Sequence, residues 1–198
     1  MSIEIPRLFA PYAGYEAFVV DAGQTVRSPI SGDAERDNRP GTRFGLNITL
    51  PPLKSDDAAR KLVAMLAEGQ DQGVIVHWPQ IGFDAGAPGA VLINGANQLG
   101  TTLNVDGVGV GHSFKHGQFG NFTTSAGRLH LFQLRGDVLY TNGTAALPIF
   151  PMIRKSPNDN GAVDFTTVRL EGWLEGDGQS WTVGRARTTG LSFAVIEK

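Results

Sequence analysis

His112 and His116 stand four residues apart in TTLNVDGVGVGHSFKHGQF (101–119), a span dense in glycine. Such a stretch could cradle a phosphate, hold a metal or simply turn a β-structure. A phosphate cradle needs its glycines between a strand and a helix whose N-terminus receives the anion. The residues after Gly111, HSFKHGQFGNF, have no amphipathic helical pattern, and the glycine spacing is not that of a P-loop. Two histidines four apart share a face only on a helix, which Gly117 and Gly120 oppose, and no third His or carboxylate sits at a supporting spacing. The glycines are therefore expected to be turns, and no metal or cofactor is expected.

Other chemistry is equally sparse. There is no Gly-x-Ser-x-Gly elbow, no His-Glu-x-x-His and no Cys nucleophile, and the Ser, His and Asp residues have no spacing that nominates a triad. SPNDNGAVD (156–164) lacks the ligand spacing and closing Glu of a calcium loop and reads as a hairpin loop. Trp78, Trp173 and Trp181 could form a sugar-stacking platform or, as aromatics in β-proteins usually do, fill the core. For a hydrolase with a carboxylate pair, the loop candidates are Asp84, Asp106, Asp137 and Asp164. No residue is assigned a catalytic role.

Residues without chemistry still need elements to hold them. The 198 residues include 26 Gly and 11 Pro spread along the whole chain, which predicts many short strands separated by tight turns. EAFVVDA (16–22) and TRFGLNITL (42–50) are strand candidates, the second alternating Phe44, Leu46, Ile48 and Leu50 on one face. RSPISGDAERDNRPG between them reads as an exposed polar loop. In LPPLKSDDAARKLVAMLAEGQ, Ser55 is the expected N-cap, and Asp56 and Asp57 put negative charge in the first turn. Ala59, Leu62, Val63 and Leu66 make the apolar stripe, and Gly69 the C-terminal stop, of a helix over 56–68.

GVIVHWPQ then reads as a strand ending at Pro79, and IGFDAGAPGA as a connector between two bodies. AVLING, TTLNVDGV, GQFGNFTT, RLHLFQLRGDVLYT, GTAALPIFPMI and GAVDFTTV follow as short β-segments, with Asn94-Gly95, Asn142-Gly143 and Asn160-Gly161 as turn dipeptides. The expected fold is mostly β: a β-sandwich with one flanking helix, formed by 1–90 plus 165–198, carrying an inserted small, OB-like β-barrel at 91–164.

Charge narrows the partners. Lys and Arg number 17 against 19 acidic residues, scattered, for a net charge of −2. Gripping nucleic acid calls for clustered cations, so retention of DNA or RNA is not expected, although passage of DNA is compatible. The absence of Cys suits a reducing cytosol. MSIEIPRLFAPYAGYEAFVV lacks the pattern of a secretory leader, and no apolar run is long enough to span a bilayer. A soluble, unsecreted protein is expected, so the sequons at Asn47, Asn121 and Asn142 are chance matches.

TRFGLNITLPPLKSDDAARKLVAMLAEGQ resembles the N-terminal part of small tail proteins of long-tailed phages and prophages. GTTLNVDGV, GHSFKHGQFGNF, RLHLFQL and GTAALPIFPMIRKSPNDNGAV are similar to the small barrel that such proteins carry. EGWLEGDGQSWTVGRARTTGLSFAVIEK resembles their closing segment, so the likeness spans roughly 42–198. It implies a distal tail protein: a non-enzymatic virion component, assembled in the host cytoplasm, that closes a sixfold homo-oligomeric ring between the tail tube protein and the baseplate hub or tip proteins. DNA would pass through the ring without being specifically bound, and no membrane is involved. The interface residues expected are Arg36, Asp37 and Arg39 in the polar loop, and Pro51 and Pro52 at the Leu-Pro-Pro-Leu elbow. A tube terminator or minor tip component fits the same motifs. A carbohydrate-binding module or receptor-binding accessory protein is the alternative from another class.

Overall fold

A computed structural model describes residues 2–6, 14–54, 56–176, 180–183 and 188–198. The chain runs through β1 (Ile3–Glu4), β2 (Gly14–Val20), β3 (Gln24–Arg27), β4 (Ala34–Asp37), β5 (Arg43–Lys54), α1 (Asp57–Gln72) and β6 (Val74–His77). It continues with β7 (Gly89–Ile93), β8 (Gly100–Val108), β9 (Ser113–Phe114), β10 (Phe119–Thr123), β11 (Leu129–Leu134), β12 (Val138–Leu139), β13 (Ala145–Ile153) and β14 (Val163–Asp164). It returns through β15 (Arg169–Leu174), β16 (Trp181–Val183) and β17 (Thr188–Glu197). The protein is mostly β, as expected, and no helix among the described residues is long and apolar enough to cross a membrane.

One sheet has the order β1-β6-β15-β17-β5-β2, with β16 also on β17. The alternation read in 42–50 is realised: Phe44, Leu46, Ile48 and Leu50 are buried, joined by Leu191, Phe193 and Val195 of β17. Leu62 and Leu66 of α1 enter the same core. So do Leu131, Phe119 and Phe150, which are contributed by the second β-structure. The sheet thus buries one face under both a helix and a barrel wall.

That second structure is a six-stranded antiparallel barrel in the order β14-β10-β11-β13-β8-β7. β10, β11 and β13 run as a meander, β8 lies beside β13, and β14 lies beside β10, which makes two overlapping Greek keys. It closes where Ile93 donates to Gly161 O and Asn160 donates to Ile93 O, both at 2.9 Å, around the Leu92–Ala162 bridge. Six strands stand here where the OB fold has five. Phe114, Phe122, Phe132 and Phe165 fill the interior. SPNDNGAVD does not turn a hairpin, because the strands it joins, β13 and β14, are not neighbours.

The helix differs from expectation at both ends. Ser55 lies outside the described residues, and the N-cap is Asp56, whose side chain accepts from Ala58 N at 3.0 Å and Ala59 N at 3.3 Å. At the other end the helix runs past Gly69 to Gln72 and stops at Gly73, φ 82°. Gly69 is buried, and a Cβ there would lie 2.4 Å from Val74 Cγ1. In an exposed helix, Gly→Ala stabilises by about 1 kcal/mol. Here the sign reverses: Gly69→Ala overpacks the contact with β6 and is expected to destabilise by about 1–3 kcal/mol, measured by urea denaturation.

Candidate assembly surfaces

The segment expected to be a loop is a ribbon. β3 and β4 pair antiparallel from Gln24–Asp37 to Arg27–Ala34, and all eight strand residues are exposed. Sequence patterning missed it because neither face carries the apolar alternation that burial would select. Local chemistry holds its ends. Ser28 N donates to Asp33 O at 2.8 Å, and Gly32 N to Ser28 O at 3.0 Å with Gly32 at φ 75°, so a tight turn closes the tip. At the base, the Arg36 guanidinium pairs with Asp21. That contact, followed by the Gly23 N–H, holds the Asp21 carboxyl below its ordinary value.

Arg36 and Asp37 therefore lie on β4 and not in a loop, with Arg39 just beyond. Each already has a partner: Arg36 Nε donates to Asn38 Oδ1 at 3.1 Å, and Arg39 Nε to Asp37 Oδ2 at 3.0 Å. Among these polar residues the ribbon also exposes two large apolar side chains. Ile30 at its tip is 97% exposed and Val26 is 56% exposed. A lone Ile inside a polar Ser-Pro-Ile-Ser-Gly turn was the only sequence signal for this.

Pro51 and Pro52 do not break the chain into an elbow. They sit inside β5, which continues to Lys54, at a bulge where the pair opposes the single residue Gly190. Lacking N–H groups, two prolines cannot supply ladder donors, and a bulge is where a strand tolerates that. The structure does not bring them to the ribbon. The ribbon returns at Arg43, and Pro51 is eight residues further along β5, roughly 26 Å at the rise of a strand. β2 is the edge strand on this side of the sheet among the described residues. An antiparallel edge is a natural template for another chain.

The other candidates find structural places. Gly111 and Gly117 have positive φ and turn the chain, whereas Gly107, also at positive φ, stays inside β8 where its register with β7 shifts; no helix follows any of them. The His112 ring packs edge-on against Phe114, 4.8 Å between centroids, and burial pushes its pKa down, with Lys115 adding to the effect. His116 N donates to Asp137 Oδ1 at 2.7 Å. Asp84 accepts from Gly86 N, and Asp164 from Thr166 N and Thr167 N, each at 2.8 Å. Asp106 pairs with Leu92 across β8 and β7. A cleft of about 380 Å³ opens where the connector leaves the sheet, with Tyr15, Trp78, Phe83, Asp84 and Thr167 in its walls.

The three tryptophans form no common platform. Trp78 is buried against Phe44 and Phe119. Trp181 pairs with Leu191 and Trp173 with Ile196, five positions apart on β17, so the two rings project from opposite faces of the sheet. Lys198 Nζ covers the Trp173 ring at 4.1 Å.

Comparison with known proteins adds no family. The chain matches no family model and no curated protein.

Proposed function

We propose that this chain is a non-enzymatic structural subunit of a long-tailed phage or prophage tail, self-associating into a ring that joins the tail tube to the baseplate or tip, with DNA passing through the lumen. The resemblance of 42–198 to distal tail proteins suggests the setting. The observation that carries the reading is the exposed β3–β4 ribbon with Ile30 at its tip. An apolar tip held out in water is unfavourable in isolation and becomes favourable when a neighbour covers it. A projecting ribbon and a separate sheet edge are different surfaces, as a head-to-tail ring contact requires. The net charge of −2 is compatible with DNA that transits and is not held.

Light scattering tests this. Six copies of 21.1 kDa come to about 127 kDa, and a discrete ring-shaped species of that mass is expected. Ile30→Asp is expected to yield a folded 21.1 kDa monomer with an unchanged circular dichroism spectrum. Wild-type protein that stays monomeric at every concentration, or an Ile30→Asp variant that assembles normally, would defeat the self-assembly reading through the ribbon.

A further inference from the structure

The joint between barrel and sheet is built from carboxylates as well as apolar side chains. β11 pairs with β10 from Leu129 to Gln133 but with β13 only at Gln133 and Leu134. The N–H groups of Leu129 and Leu131 are therefore left with no strand to receive them. Two neighbouring strands of the sheet supply the acceptors. Leu129 N donates to Glu171 Oε2 at 2.9 Å, and Leu131 N to Glu197 Oε1 at 3.1 Å. Glu197, with its side chain 0% exposed, also receives Arg154 Nη2 at 2.7 Å and Phe44 N at 3.4 Å, and His130 Nδ1 lies 3.4 Å away. Glu171 is approached by Ser2 Oγ at 2.6 Å and Lys198 Nζ at 3.7 Å. A third barrel N–H, that of Phe119, donates to Gln80 Oε1, and the seam is tied in the other direction by Arg169 N donating to Asn121 Oδ1, each 3.0 Å.

We infer that these side chains act as a lock: the sheet completes the barrel's own ladder at β11, and the barrel is held on the sheet in one fixed orientation as a rigid projection. Apolar contact is non-directional and would let two bodies slide. Charge-assisted hydrogen bonds to defined N–H groups do not, because each tolerates only a narrow range of distance and angle. Glu171 and Glu197 reach β11 two residues apart, so a shift of the barrel by one residue would break both.

The lock can be tested by pulsed electron–electron spin resonance between nitroxides on Glu68→Cys in α1 and Asn142→Cys in the barrel. The chain has no other Cys, and labelled protein is diluted into excess unlabelled protein so that distances within one chain dominate. The native background is expected to give one narrow distance. Glu197→Gln/Arg154→Met removes the charges while keeping an acceptor near Leu131 N, and is expected to lose that single distance, broadening or splitting it, while circular dichroism stays native. A broad distribution in the native background, or one as narrow in the double variant, overturns the inference. If the double variant does not fold, Glu171→Gln gives the test: a broadened distance supports the lock, and an unchanged one overturns it.

Discussion

Glu197→Leu, made with Arg154 left in place, is expected to cost about 3–5 kcal/mol of folding stability, because it strands a largely desolvated cation and removes the acceptor of two backbone N–H groups. Arg154 is 17% exposed on its side chain, and burial pushes its pKa down while the Glu197 carboxylate raises it. Without that carboxylate, its Glu197 contact is lost. Leu131 N and Phe44 N also lose Glu197 as acceptor, inside the first core. Urea denaturation should show a midpoint far below the native one, and recovery of much of the loss when Arg154→Met is added would identify the unpaired charge as the cause. A single-variant loss below about 1 kcal/mol would mean that water reaches the seam.

Phe132→Ala is expected to cost about 3–5 kcal/mol as well, by a different route: a hole in the closed barrel. Phe132 is 0% exposed, with ring centroids 5.9 Å from Phe122 and 5.7 Å from Phe165. Gly120 backs it so closely that a Cβ there would stand 2.7 Å from Phe132 Cζ. Side chains already packed to interior density have little room to draw inward and fill the space, which favours the upper part of the range. Removing a Trp173 ring that is 42% exposed is the contrast, expected to be far milder, and both are measured by thermal and urea denaturation. Similar losses at the two sites would mean that the barrel interior is not a packed core.

What could be read from sequence followed burial. β5 was legible because Phe44, Leu46, Ile48 and Leu50 alternate against a core, and α1 because Ala59, Leu62 and Leu66 repeat at helical spacing and are all buried. The helix end was not legible, since the contact that keeps Gly69 inside the helix is with Val74 on another element. The β3–β4 ribbon escaped because strands exposed on both faces leave no pattern, and the proline pair misled because a bulge opposite Gly190 absorbs what would otherwise break a strand. Nothing in sequence marks Glu171 and Glu197. Their partners on β11 are 42 and 66 positions away, and in the linear chain each looks like an ordinary surface charge.

The ring of strands sealed between Leu92 and Ala162 divides labour within the molecule. The stretch of β11 that β13 leaves unpaired is itself covered by Glu171 and Glu197 of the sheet, so the nearly closed barrel leaves little backbone for a visiting peptide to join as an added strand, and loop side chains are what it mainly presents. Those side chains can change without disturbing a single ladder bond, whereas the edge along β2 is committed to backbone geometry. The barrel is the part of this chain that can acquire new specificities, and the sheet is the part that has to stay the same.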